Sequence, residues 1–259
     1  MSNDEKIRIT FLGTGTSHGI PMIACRCPVC ASDDSRDKRH RSSLMVEYGG
    51  GVIIIDTTPE FRLQCLANNI TRVDAILYTH THADHIFGLD DLRRFTAMQN
   101  QKIPCYGSPK TIKTLKTIFP YAFGHTGIVY SEIPNLLDVE VTGPFEFFGK
   151  TIIPLELCHG WDKVLGFRIE NIAYCTDCSE IPPAAMDQLH GLDILILDAL
   201  RYTPHPTHFN LDQALIAAQK INARKTYLTH IAHEIKHADL ETKLPANIFL
   251  SYDGQQLSV

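Results

Sequence analysis

The sequence predicts an α+β protein in which sheet layers are covered by helices. Three observations carry this reading. Short β-branched apolar runs recur along the chain, helix-patterned stretches lie between them, and the connections are short. With 259 residues, 44% hydrophobic and 20% charged, the chain has ample apolar material for a packed core. The expectation is one domain over residues 1–259, with a cysteine-rich loop near 25–30.

The elements follow in order. Ile7 to Leu12 reads as a strand, followed by a Gly-rich loop from Gly13 to Gly19. That loop is not a phosphate-binding P-loop, because no Gly-Lys-Ser/Thr follows it. Ser43 to Tyr48 and Val52 to Asp56 read as a hairpin about Gly49-Gly50-Gly51. Pro59 to Asn68 is a predicted helix, with Thr58 as N-cap and Pro59 at the first helical position. The run Asp74 to Thr79 is a buried strand, and Leu89 to Met98 and Pro109 to Phe119 are helices. Further strands are predicted at Leu137 to Val141, Phe145 to Phe148, Thr151 to Leu157, Gly166 to Ile169, Ile172 to Cys175, Asp193 to Asp198 and Lys225 to Thr229. Leu211 to Ile221 is an amphipathic helix.

Composition narrows the class. A formal net charge of −5 argues against a protein that coats nucleic acid through bulk charge. The polar start Met1 to Lys6 has no signal-peptide character, and no apolar run approaches a membrane span. A cytoplasmic protein is expected. Eight cysteines there suggest metal ligands or buried thiols rather than disulfides.

The chemistry concentrates at His80-Thr81-His82-Ala83-Asp84-His85, which follows the apolar run Ala75 to Tyr78. Three histidines and a carboxylate this close share a partner most simply in a metal dication, since neutral imidazole and carboxylate are what zinc and similar ions bind. The same grammar recurs: an apolar strand gives out at His159, at Asp177 and at His230.

This pattern resembles the metallo-β-lactamase superfamily, whose HxHxDH motif is matched by His80, His82, Asp84 and His85. The resemblance runs nearly the whole chain and implies an αββα four-layer sandwich. It implies that His80, His82 and His159 hold one metal, that Asp84, His85 and His230 hold a second, and that Asp177 bridges them. Two dications about 3.5–4 Å apart with a shared hydroxide give metal-assisted hydrolysis. Asp84 would serve equally as a proton acceptor in a single-metal site, which the full ligand set argues against.

A second constellation is Cys25-x-Cys27-x-x-Cys30. Three thiolates need a fourth donor to close a tetrahedral structural zinc site, and His233, three residues beyond His230, is the candidate. The Gly-rich loop, the cysteine knuckle and the second histidine resemble the PhnP-type branch, whose members are phosphodiesterases acting on ribose cyclic phosphates. That resemblance implies a catalytic histidine in an H-x-x-L segment, matched by His208 and Leu211, with His205 a nearby competitor. Its role would be to stabilise phosphoryl oxygens or protonate the leaving alkoxide.

Weaker signals remain. Arg36, Lys38, Arg39 and Arg41 read as a solvated basic loop, and Cys175 and Cys178 as buried thiols despite their CxxC spacing. His125 and Trp161 either line the cleft or cover the core. The expected function is a dinuclear phosphodiesterase using two zinc or manganese ions and one structural zinc on a small phosphodiester. The rivals are a tRNase Z-like endonuclease, for which no long basic arm is evident, and a non-hydrolytic PqqB-like protein, from which no ligand is missing. A homodimer is the default oligomer.

Overall fold

The computed structural model describes residues 6–124 and 132–259; His125 lies outside them. The strands run β1 (Arg8–Gly13), β2 (Ser43–Tyr48), β3 (Gly51–Ile55), β4 (Ala75–Leu77), β5 (Ile103–Gly107), β6 (Leu136–Glu140), β7 (Phe145–Phe147), β8 (Lys150–His159), β9 (Asp162–Ile169), β10 (Ile172–Cys175), β11 (Ile194–Asp198), β12 (Lys225–Thr229), β13 (Ile248–Leu250) and β14 (Gln256–Ser258). They form two seven-stranded sheets, ordered β14-β1-β2-β3-β4-β5-β6 and β13-β12-β11-β10-β9-β8-β7. Each sheet opens with antiparallel pairs and continues with parallel ones, β3 to β6 in the first and β10 to β13 in the second.

The two-residue period of the strands builds the layers. In β3, Ile53 and Ile55 point between the sheets and Ile54 points out; in β11, Ile194 and Ile196 point in and Leu195 and Leu197 point out. The inward set packs sheet on sheet, with Phe11, Leu44 and Leu77 facing Phe167, Tyr174 and Tyr227. The outward set of the first sheet lies under α1 (Phe61–Ala67), α2 (Ala83–Ile86), α3 (Leu92–Gln99) and α4 (Pro109–Ile118). That of the second lies under α5 (Pro183–Asp187), α6 (Leu211–Ile221) and α7 (His237–Glu241). This is the expected four-layer sandwich. Each fully buried Ile or Leu contributes about 1.5–3 kcal/mol, so three separate apolar layers hold it together.

Local chemistry explains the departures from expectation. Helix α1 begins at Phe61 rather than Pro59, because Thr58 Oγ1 takes the Glu60 N–H and the first turn closes later. Pro104 sits inside β5, where a proline ordinarily argues against a ladder, and the sequence reading had no strand there. No helix among the described residues is long and apolar enough to cross a membrane.

The basic run is not a solvated loop. Arg39 is 1% exposed; its Nη1 donates to Thr14 Oγ1 and to the Ser251 carbonyl at 2.7 and 2.6 Å, and its Nη2 donates to His237 Nδ1 at 3.1 Å. Thr14 in turn donates to half-buried Asp253 at 2.7 Å. Lys38 donates to the Cys30 carbonyl, and Arg41 to the Ser17 carbonyl and Glu60. Arg36 pairs with Asp34 and Glu241. These residues therefore tie the N-terminal loops to the C-terminal ones. Arg39→Met is expected to lower unfolding stability by about 3–5 kcal/mol, because the buried Thr14 hydroxyl, the Ser251 carbonyl and His237 Nδ1 lose their charged donor. Urea denaturation checks this, and a loss below about 1 kcal/mol would show that water replaces the guanidinium.

Candidate metal centre

Parallel pairing brings the strand ends to one edge. In β3 and β4, Ile55 pairs with Leu77; in β10, β11 and β12, Cys175 pairs with Leu197 and Asp198 with Thr229. Asp56, His80, Asp177, Asp198 and His230 therefore leave the two sheets at the same level. Asp56, Asp177 and His230 have φ of 65°, 53° and 60°, the left-handed region that side chains with a Cβ avoid. Such a residue costs on the order of 1–3 kcal/mol and persists where the surroundings hold it. The chain reverses abruptly at the strand end, directing these side chains into the cleft.

Within that cleft, four clusters of donors lie inside mutual ligand distance: His80, His82 and His159; His80, His85 and Asp177; Asp84, Asp177 and His230; and His159, Asp177 and His208. Asp177 is the common member of the last three. Its Oδ2 is 3.3 Å from both His85 Nε2 and His230 Nδ1, and its Oδ1 is 4.0 Å from His80 Nε2. Asp84 Oδ2 reaches His85 Nε2 at 3.3 Å. His82 caps the four-residue helix α2, which places Asp84 and His85 one residue apart on the cleft wall.

Outer partners occupy one nitrogen of nearly every ring. His80 Nδ1 meets Thr79 Oγ1 at 3.0 Å, and His85 Nδ1 meets Asp56 Oδ2 at 2.7 Å. His159 Nδ1 donates to the Thr207 carbonyl at 2.8 Å, and His208 Nδ1 meets Asp198 Oδ2 at 2.8 Å. Ser42 Oγ lies 3.2 Å from His230 Nδ1. In His80, His85, His159 and His208 a ring nitrogen that donates outward fixes the tautomer and leaves Nε2 as the inward atom, whereas His230 Nδ1 itself also faces Asp177. The Nε2 of His80 is buried with no hydrogen-bond partner, and that of His85 faces only the carboxylates of Asp84 and Asp177 among the described residues, each 3.3 Å away. Imidazole nitrogens and carboxylates converging in this way are a donor set that fits divalent metals.

The field agrees. Burial opposes charge on His85, yet Asp177, Asp84 and Asp56 outweigh it and raise its pKa well above the ordinary value. Burial, and then the neighbouring His85, hold His80 well below it. Asp84 would be raised by burial, but His85 pulls it below the usual carboxylate range. The pocket favours positive charge where its carboxylates converge and keeps the His80 imidazole beside them neutral. His208 is resisted by burial but pushed up to about 9 by the adjoining Asp198. His208 is buried and belongs to the central cluster, whereas His205 is half-buried and bonds Thr207 through its Nδ1.

The cysteine knuckle forms the remaining cluster. His233 Nδ1 is 3.3, 3.4 and 3.8 Å from the Sγ atoms of Cys25, Cys27 and Cys30. A tetrahedron with zinc–sulfur bonds of about 2.3 Å and a zinc–nitrogen bond of about 2.0 Å has sulfur–nitrogen edges of about 3.5 Å. The Cys30 backbone N–H first, then Cys25 and His233, lower the Cys27 pKa to about 6, which favours the thiolate. Gly15 bridges both Arg41 and Ile231, so this loop is pinned beside Ser42 and His230. Cys175 and Cys178 are fully buried, burial pushes Cys175 up to about 12, and Cys178 Sγ donates to the Cys175 carbonyl.

A family model for the beta-lactamase superfamily domain matches residues 52–231. The chain belongs to that superfamily. A crystal structure of a new diphosphatase from the PhnP family is 44% identical, with a TM-score of 0.92 over 98% of this chain and 97% of that one. This places the chain in the PhnP branch of the metallo-β-lactamase fold. Zinc-bound PqqB from Methylobacterium extorquens, at 19% identity and a TM-score of 0.76 over 96% of this chain and 99% of that one, shares the fold. An octanoyltransferase from Porphyromonas gingivalis (strain ATCC BAA-308 / W83) is 34% identical over 254 residues, 96% of this chain. The chain spans 51% of that protein's length.

In this metallo-hydrolase fold the sequence reading missed Asp56, Asp198, Ser42, Thr79 and Thr207. Asp56 and Asp198 carried a signal, since each ends an apolar strand as the ligand candidates do. The serine and threonines carried none, because their role depends on which loop packs beside which ring.

Proposed function

We propose that this chain is a dinuclear metal-dependent hydrolase that cleaves a phosphorus–oxygen bond in a small phosphodiester. The clustering of His80, Asp84, His85, His159 and His230 about Asp177, with His82 joined through His80 and His159 and the buried Nε2 of His80 left without a hydrogen bond, supports this reading. His80, His82 and His159 would hold one metal, Asp84, His85 and His230 the other, and Asp177 would join both. Zinc and manganese both suit such a donor set. When bound, the two metals supply Lewis acidity to a phosphoryl oxygen and lower the pKa of water.

The chain's own groups do the rest. Asp56 orients His85, Thr79 orients His80 and the Thr207 carbonyl orients His159, so the donors are set before substrate arrives. His208, held by Asp198, would deliver its proton to the leaving oxygen or bind a phosphoryl oxygen. Asp84, the other residue expected to act on protons, lies against His85 and fits a ligand role better. All eight cysteines are free thiols, which suits a reducing, cytoplasmic compartment. A net charge of −5 favours a small substrate over nucleic acid.

The substrate class proposed is a cyclic ribose phosphodiester. A diphosphate is the second reading, favoured by the 44% identical relative that is called a diphosphatase. Metal-loaded protein should turn over bis(p-nitrophenyl) phosphate and a ribose cyclic phosphate, or else a diphosphate ester. Failure on all three with zinc and with manganese would contradict a phosphorus–oxygen hydrolase.

Cys25, Cys27, Cys30 and His233 would hold a structural zinc that braces the loop beside His230. Cys27→Ser should release one zinc per chain and lower catalytic-metal affinity by about 10–100-fold through the loosened support. Metal analysis after gel filtration checks this. Unchanged zinc content would remove Cys27 from the ligand set.

A further inference from the structure

Trp161 is 104% exposed by comparison with a free side chain, so of the two expected places, lining the cleft or covering the core, the second is excluded. An aromatic ring of this kind ordinarily buries ~150–250 Å². Its position is set firmly. His159 and Asp162 pair across β8 and β9, leaving Gly160 and Trp161 as a two-residue hairpin turn. Gly160 has φ of +62°, and a Cβ there would lie 2.8 Å from Thr207 Cγ2. Its N–H donates to Ser179 Oγ at 3.0 Å, His159 Nδ1 donates to the Thr207 carbonyl at 2.8 Å, and Asp162 pairs with Lys110 at 2.8 Å. The turn is clamped on three sides and holds its ring in water.

The surroundings select the occupant. The proposed metal donors His80, His82 and His159 line one cavity with Lys110, Asp162 and Lys163, and along the chain Trp161 falls between its wall residues His159 and Asp162, at the rim rather than in the wall. Asp162 and Lys163 are themselves exposed and charged, so the ring is a lone aromatic on a charged lip rather than part of an apolar patch. Apolar patches suit protein partners. A single exposed ring beside cations and a phosphate-handling centre suits a planar base linked to a phosphate, because every nucleobase has a face to stack.

We propose that Trp161 is the stacking platform for a nucleobase, and that the preferred substrate is a nucleoside-bearing phosphoester. This rests on the phosphoester reading above. Trp161 acts here as a specificity residue: it touches the part of the substrate that does not react.

The chain contains one tryptophan, so its intrinsic fluorescence reports on this ring alone. Adenosine monophosphate added to the metal-loaded full chain should quench the emission saturably, and ribose 5-phosphate should not. In kinetics, Trp161→Ala should reduce the preference for a nucleoside 2′,3′-cyclic phosphate over a base-free ribose cyclic phosphate by about 5- to 150-fold. The loss should fall on KM rather than kcat, and Trp161→Phe should restore most of it. Emission unaltered by adenosine monophosphate, or an unchanged preference in the alanine variant, would overturn the proposal. So would sedimentation showing that Trp161→Ala splits an oligomer, since the ring would then be a contact between copies. Saturable quenching without hydrolysis of any phosphoester would sink the hydrolase reading and leave the platform standing; hydrolysis of the base-free substrate without quenching would do the reverse.

Discussion

Asp177→Ala is expected to strip both metals from the central cleft while leaving the metal of the cysteine cluster in place. Asp177 lies 3.3 Å from His85 and from His230, and shares a cluster with His80, with His159 and with Asp84. Removing it would take away the carboxylate proposed to join the two metals, and the remaining donors would form two separate and incomplete sets. The rate should fall by more than about a hundredfold, beyond the 10–100-fold that follows from removing an outer partner of a ligand. Asp56→Asn supplies that comparison, because Asp56 touches His85 and no other ring of the cleft in the described contacts. It should weaken metal binding by about 10–100-fold and recover activity at raised metal concentration, whereas Asp177→Ala should not recover. Metal analysis together with rates across a metal titration reads both. Equal metal content in wild type and Asp177→Ala would contradict the bridging role.

The second large effect is at His208. His208→Ala should lower kcat by about 10²–10⁴-fold with both central metals retained. Asp198→Asn should lower it less, since the ring remains but loses the carboxylate that orients it and favours its proton. Asp198 also accepts the Cys178 N–H at 2.9 Å, so its replacement should be read beside the thermal midpoint. A fall in metal content in His208→Ala would instead make His208 a ligand, as its place beside His159 and Asp177 permits. His205→Ala serves as the neighbouring control. It should change kcat far less, because His205 hydrogen-bonds the loop residue Thr207, meets His208 through a ring contact at 5.1 Å, and stands outside the donor clusters among the described residues.

These expectations show how much of the site was written in the sequence. His80, His82, Asp84 and His85 were legible because ligand-type residues crowd one strand end, and His159, Asp177 and His230 because each repeats that position. The Cys25 to Cys30 knuckle was legible from spacing, and its meeting with His233 follows from the Gly15 bridge to Ile231 that only the fold supplies. The left-handed backbone at Asp56, Asp177 and His230 leaves no mark in composition, since these are residues that ordinarily adopt other conformations. Arg39 was read as solvated because four basic residues in six positions usually are; its burial depends on Thr14, Ser251 and His237, all distant in sequence. Strand β14 was missed for a similar reason: it is three residues long and exists through pairing with β1 at the far end of the chain.

The most direct test is a crystal structure of the metal-loaded protein with anomalous maps collected on either side of the zinc and manganese edges. The account predicts two peaks about 3.5–4 Å apart with Asp177 between them, one bound by His80, His82 and His159 and the other by Asp84, His85 and His230. A third, isolated peak should lie among Cys25, Cys27, Cys30 and His233. A single peak at the cysteine cluster with none in the cleft at saturating metal, or cleft metal that does not touch Asp177, would contradict it.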